Sequence, residues 1–273
     1  MITIGVCLET VFTDRPAPER IARIRQAGFS GVEFWHPEGT WDGSTIRRDW
    51  AKDPQQLREA AEQQGVVLTD FALHAWDGSI GGSPVNPADH PKYIDQVRRM
   101  LAFAQAAGIR KGITLSGTAA PGLSRTQMRE HLEKALLQAV DLARQADFLL
   151  LLEPLNTLVD HPGYYLDSSR EAVQIIRSIG SPHLKMLYDI YHMQIMEGNV
   201  LATIEQHLDC IGHFHAAGVP GRGELFTGEL HYPNILRRLE SLGYEGSFGL
   251  EYFPTLPDPQ ESLRQTYRYV FGG

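Results

Sequence analysis

Eight short, almost wholly apolar runs recur along the chain, each followed by a segment that reads as an amphipathic helix. This alternation limits the fold more than any other feature. The runs are Ile2–Cys7, Gly31–Trp35, Val66–Leu73, Lys111–Ser116, Phe148–Glu153, Leu184–Asp189, Ile211–His215 and Phe248–Glu251. Apolar residues at successive positions, rather than alternate ones, suit strands buried on both faces of a parallel sheet. Between the runs, Pro18–Ala27 reads as a helix closed by Gly28, Pro54–Gln64 as one closed by Gly65, and Pro91–Ala107 as one closed by Gly108. Ser124–Gln145 follows with Ser124 as its cap, then Ser168–Ser178, Leu201–Leu208, Pro233–Leu242 and Pro259–Val270. Strict strand–helix alternation, eight times over, predicts a closed (β/α)8 TIM barrel occupying residues 1–273 as a single domain. The length of 273 residues is near the usual size of such a barrel.

Composition supports a globular chain with one large core, at 42% hydrophobic and 21% charged residues. The formal net charge of −8 argues against a broad phosphate-binding face, so no nucleic-acid partner is expected. The opening MITIGVCLETVF lacks a basic leader followed by a long apolar core and does not read as a signal peptide. The longest strongly apolar run, Phe148–Leu152, ends in a glutamate and is far too short to span a bilayer. The two cysteines, Cys7 and Cys210, both sit in apolar stretches and read as buried free thiols, with a single disulfide as the alternative. A cytoplasmic location without membrane attachment is the expectation. Two strand-to-helix loops, Trp35–Asp53 and Ala75–His90, are long, and barrel enzymes build substrate pockets from such loops.

Four acidic or imidazole side chains stand at matching places in the last four strands. Glu153, Asp189, His215 and Glu251 each end an apolar run and are separated by 36, 26 and 36 residues. An eightfold barrel of this length allots roughly 34 residues to each strand–helix unit, so the spacing puts all four at one level of successive strands. Three carboxylates and an imidazole crowded at a barrel mouth repel one another unless a cation compensates. Oxygen donors with one nitrogen suit a single divalent ion: magnesium, manganese, cobalt or zinc. The absence of thiolate ligands argues against a structural zinc.

The segments GluProLeuAsn (153–156), AspIleTyrHisMetGlnIleMetGluGly (189–198), IleGlyHisPheHisAlaAlaGlyValProGlyArg (211–222), GlyGluLeuHisTyr (228–232) and GlyLeuGluTyrPhePro (249–254) closely resemble the hydroxypyruvate isomerase family. That family belongs to the xylose isomerase-like barrel superfamily, which also holds ketose 3-epimerases and endonuclease IV. The resemblance is specific from about Ser116 to Pro254 and general before that. It implies that Glu153, Asp189, His215 and Glu251 are metal ligands and that Glu153 and Glu251 double as the acid/base pair. His192 matches a substrate-binding histidine of related epimerases, and a homo-oligomer is compatible with the family.

The implied chemistry is proton removal beside a carbonyl and return to the adjacent carbon, through an enediolate, on a small hydroxy-oxo acid or sugar such as hydroxypyruvate. Charge stabilisation by the ion and two positioned carboxylates supply that chemistry. Some family members have glutamine where this chain has His215, whereas ketose epimerases have histidine, so 3-epimerisation of a free ketose is the close alternative. A metal-dependent endonuclease and a polyol dehydratase are more distant ones. Among the neighbours, Arg222 offers a fork suited to a substrate carboxylate or a polarised hydroxyl. His213, two residues before His215, is expected deeper on the same strand face. Glu229 is open to pairing with Arg222 or to solvation, and Asn156 to holding the backbone near Glu153. Trp35, His36, His74 and Trp76 are open to walling the pocket or to packing, and Glu33 is given no role.

Overall fold

The computed structural model describes residues 2–272. Along the chain run β1 (Thr3–Cys7), α1 (Ala17–Gln26), β2 (Gly31–Phe34), a hairpin of β3 (Thr40–Trp41) and β4 (Ile46–Arg47), α2 (Pro54–Gln64) and β5 (Val67–Phe71). Next come α3 (His90–Ala107), β6 (Lys111–Leu115), α4 (Arg125–Gln145), β7 (Leu149–Glu153) and α5 (Ser169–Ile179). The remainder is β8 (Leu184–Asp189), α6 (Ile190–Met196), α7 (Val200–His207), β9 (Ile211–Ala216), α8 (Tyr232–Ser241), β10 (Ser247–Leu250) and α9 (Pro259–Phe271). The eight expected strands and eight expected helices are all present, with ends shifted by at most two residues.

The chain divides into two compact units, one ending at Asp70 and resuming at His213, the other Phe71–Gly212. In the first unit the strand order is β5-β2-β1-β10-β9, with β1 parallel to both β2 and β10, and β10 parallel to β9. In the second the order is β8-β7-β6, again with parallel pairs. Leu150, Leu151 and Leu152 are each 0% exposed, so both faces of β7 are buried, which explains why such strands read as unbroken apolar runs. Cys7 and Cys210 are buried and free. No helix is long and apolar enough to cross a membrane, among the described residues.

Local chemistry sets the helix ends. Ser124 and Gln127 form a reciprocal capping box at the start of α4, and Asp53 accepts from the Gln56 N–H to open α2. Two features escaped the sequence reading. The loop after β2 contains the β3–β4 hairpin, paired Thr40 to Arg47 and Trp41 to Ile46. Directly after β8 the seven-residue α6 begins, because Asp189 Oδ1 accepts from the N–H groups of Tyr191 (2.8 Å) and His192 (3.3 Å). The last strand closes one residue early, at Leu250. Glu251 continues it by one bond, its N–H donating to the Ala216 carbonyl at 3.0 Å.

Candidate active site

Two groups of buried polar residues, one in each unit, carry the candidate chemistry. In the first unit Glu251 follows β10 and His215 lies in β9, with His215 Nδ1 3.6 Å from Glu251 Oε2. Both carboxylate oxygens of Glu251 are engaged: Trp35 Nε1 donates to Oε1 at 2.5 Å and Arg222 Nη2 to Oε2 at 2.5 Å. Arg222 approaches from the loop after β9 with a left-handed backbone (φ +56°), and Phe253 N–H donates to its carbonyl at 2.8 Å. The loop is stitched down by buried Glu224, which accepts from Thr255 N–H (2.9 Å), Thr255 Oγ1 (2.7 Å), Leu256 N–H (3.2 Å) and Ser262 Oγ (2.8 Å). Glu229 is exposed, so the loop carboxylate that organises this segment is Glu224.

Burial alone would raise the pKa of Glu251. The Arg222 charge, the contact with His215 and the Trp35 N–H outweigh it and hold the carboxyl well below the usual range. For His215 burial favours the neutral ring, but the Glu33 charge and the contacts with Glu251 raise its pKa well above that of ordinary histidine. Trp35 is tied in a second way, its backbone N–H donating to Glu9 Oε2 at 2.9 Å. Glu9 Oε1 in turn meets Lys52 Nζ at 2.7 Å, a pair with side-chain exposures of 1% and 0%. Lys52 also donates to the carbonyls of His36 (2.9 Å) and Gly39 (2.6 Å), so the long loop after β2 is anchored from within.

Beneath His215 lies a cluster that sequence reasoning missed. Glu33, in β2, places Oε1 3.2 Å from His215 Nε2 and Oε2 3.2 Å from His213 Nε2. Asp70 Oδ2 is 3.1 Å from the same His213 nitrogen, and Ser247 Oγ is 2.9 Å from His213 Nδ1. Burial pushes the Glu33 carboxyl up, but the His215 charge and the contacts with both histidines bring it down to about 2. The available signal was an acid inside the otherwise apolar strand GlyValGluPhe, all four residues of which are buried.

In the second unit Glu153 ends β7, Asp189 ends β8 and His192 lies in α6. Asp189 Oδ2 is 3.4 Å from His192 Nε2, and Asn156 Nδ2 is 2.6 Å from His192 Nδ1. An amide nitrogen only donates, so Nδ1 is the acceptor and the ring proton sits on Nε2, facing Asp189. Asn156 is held by its own loop, with Oδ1 accepting from Val159 N–H (3.1 Å) and Asp160 N–H (2.9 Å) and Nδ2 donating to Asp160 Oδ2 (2.7 Å). Tyr164 braces the end of β7, its hydroxyl accepting from Ser116 N–H (2.7 Å) and donating to the Glu153 carbonyl (3.0 Å). Edge-to-face contacts run from Trp76 to His161 (4.8 Å) and from His161 to His192 (5.3 Å), an aromatic row beside the candidate ligands. His74 belongs to the interior instead: it is 0% exposed and accepts from Leu115 N–H at 3.0 Å.

Glu153, Asp189, His215 and Glu251 are buried, at 6, 1, 2 and 7% exposure. Carboxylates and imidazoles withdrawn from water are a donor set that a hard or borderline divalent ion compensates. Within the second unit Glu153, Asp189 and His192 each offer a ligand atom, all within 4.8 Å of one another, and within the first Glu33, Asp70, His213 and His215 do the same. The residue types therefore fit a divalent cation.

Comparison with known proteins gives the family. The xylose isomerase-like TIM barrel family matches residues 21–269. Hydroxypyruvate isomerase of Escherichia coli is 33% identical over 256 residues, covering 93% of this chain and 94% of that protein. The 2-oxo-tetronate isomerase of Cupriavidus necator is 28% identical over 249 residues, covering 90% of this chain and 91% of that protein. A crystal structure of AP endonuclease, family 2, from Brucella melitensis superposes with a TM-score of 0.87 at 29% identity, covering 98% of this chain and 99% of that one. A family match over most of the chain, joined to curated isomerases aligned nearly end to end, makes this chain a (β/α)8 isomerase belonging to the xylose isomerase-like TIM barrel family.

Proposed function

We propose that the chain interconverts small hydroxy-oxo acids, with hydroxypyruvate and tartronate semialdehyde as the leading pair, and that Glu153, Asp189, His215 and Glu251 together hold one divalent ion. The observation that carries this reading is the placement of Glu251: a buried carboxylate fixed by Trp35 and Arg222, each at 2.5 Å, beside the imidazole of His215. A buried, rigidly held carboxylate is pre-positioned for proton transfer beside a carbonyl. The 33% identity to Escherichia coli hydroxypyruvate isomerase supports the substrate class.

In this reading Glu251 and Glu153 act as the acid/base pair. One takes a proton from the hydroxyl-bearing carbon, and a proton is returned to the former carbonyl carbon through an enediolate. A bound magnesium, manganese, cobalt or zinc ion would stabilise the negative charge that develops on the substrate oxygens. His192, whose Nε2 proton faces Asp189 at 3.4 Å, turns that proton to a substrate oxygen when Asp189 is engaged as a ligand. Arg222 holds Glu251 and lends its positive charge to binding the substrate carboxylate. Phosphodiester cleavage, which the name of the Brucella melitensis structure raises, is disfavoured by the net charge of −8.

Replacing Glu153 or Glu251 with Gln tests the assignment. Each variant is expected to keep the wild-type circular dichroism spectrum and to lose ~10²–10⁴-fold in turnover of hydroxypyruvate. Full activity in both variants would overturn it.

A further inference from the structure

Glu33 is 2% exposed within a strand whose other residues are apolar or glycine, where an uncompensated carboxylate would be strongly disfavoured. Its two oxygens face two imidazoles of one strand: Oε1 meets His215 Nε2 and Oε2 meets His213 Nε2, each at 3.2 Å. The two rings belong to residues two apart in β9 and so point to the same side. The surrounding backbone makes room for this carboxylate. Gly249 of β10 is in register with His215 on one side and with Gly5 of β1 on the other. A β-carbon at Gly249 would collide with both oxygens of Glu33, and one at Gly5 would lie 3.5 Å from Oε2. The glycines thus open a slot in the strand layer that the Glu33 carboxylate fills.

We propose that Glu33 is a positioning residue for His215: its carboxylate, 3.2 Å from Nε2, keeps the ring proton on that nitrogen, fixes the ring, and leaves Nδ1, the nitrogen 3.6 Å from Glu251 Oε2, to bind the metal. This rests on the reading of His215 as a ligand. An imidazole that binds a cation through one nitrogen donates through the other, and the acceptor sets its tautomer and orientation. His213, held by Ser247 Oγ at 2.9 Å and by Asp70 Oδ2 at 3.1 Å, buttresses Glu33 from the far side.

The test is Mn²⁺ titration of the full chain, with free Mn²⁺ read by electron paramagnetic resonance. The unmodified protein should bind one ion per chain, and Glu33→Gln should bind it roughly 10–100-fold more weakly, whereas Asp70→Asn, which touches His213 and not His215, should stay within about threefold. Unchanged affinity in Glu33→Gln, or equal weakening in Asp70→Asn, would overturn the positioning role. Two ions per chain in the unmodified protein, one of them lost in Asp70→Asn, would assign the cluster to a second cation and overturn it as well. A measurement that needs no variant is proton NMR of the Co²⁺-loaded protein. A paramagnetically shifted imidazole N–H, seen in H₂O and absent after refolding in D₂O, is expected for His215, and its absence in H₂O contradicts the Nε2 proton that Glu33 is proposed to hold. No Mn²⁺ binding by the unmodified chain, or undiminished binding by His215→Ala, would overturn the metal reading itself and the proposal with it.

Discussion

Arg222 donates from Nη2 to Glu251 Oε2 at 2.5 Å while its own backbone sits in the left-handed region at φ +56°. A side chain in that conformation carries a backbone cost of about 1–2 kcal/mol, which glycine would not. The loop therefore keeps an arginine where stability alone favours glycine, as strained residues often do at functional sites. Arg222→Gly and Arg222→Ala should both lower kcat/KM for hydroxypyruvate at least about tenfold, the scale of a lost charge-assisted hydrogen bond. Arg222→Gly should nonetheless melt at a higher temperature than Arg222→Ala. Equal melting temperatures would show that the backbone carries no such strain.

Gly249 faces the Glu33 carboxylate so closely that a β-carbon cannot be added without moving it. Gly249→Ala should destabilise the fold by ~1–3 kcal/mol, the usual cost of overpacking a buried site. It should also weaken Mn²⁺ binding in the same direction as Glu33→Gln. Urea unfolding and Mn²⁺ titration of this one variant check both.

Cys7 is 1% exposed, and burial, then the charges of Glu251, Glu9 and Glu33, push its thiol well above the ordinary range. Cys210 is 3% exposed and its thiol is also raised, first by burial. Neither should react with a chromogenic disulfide in the native protein, and both should react in denaturant. A fast native thiol would contradict the described packing.

Glu224 gathers four donors from Thr255, Leu256 and Ser262. Burial alone would raise its pKa, but those hydrogen bonds lower it below the ordinary value. A carboxyl with a depressed folded pKa adds stability above its unfolded value of about 4.3 and loses it as pH falls through the folded value. Glu224→Gln should therefore melt below the wild type at pH 7, and the gap should narrow as pH falls below about 4. A gap that stays constant down to pH 2 would contradict this.

The strand–helix order was legible because a strand buried on both faces, such as Leu149–Glu153, is apolar at successive positions. The short α6 was not, since seven residues give little periodicity and Asp189 serves at once as strand end and helix cap. The β3–β4 hairpin, with two residues in each strand, leaves no alternating pattern to read. Glu33 was passed over for a different reason. Its partner His213 lies 180 positions away, and only the folded register of β2, β1, β10 and β9 brings the carboxylate to the imidazoles. Trp35 and Arg222 were visible as candidates, but that both donate to Glu251 is a property of loop geometry, which residue spacing does not encode.

The most direct test of the central claim is solvent proton exchange. Metal-loaded protein is incubated with hydroxypyruvate in D₂O, and carbon-bound deuterium is followed by NMR, with a panel of free ketoses alongside. The account predicts deuterium in hydroxypyruvate and in its isomer, lost after chelation of the metal. Deuterium at C3 of a ketose alone would move the activity to epimerisation. No exchange into any of these compounds with metal shown to be bound, or exchange undiminished after the metal is removed, would contradict the account.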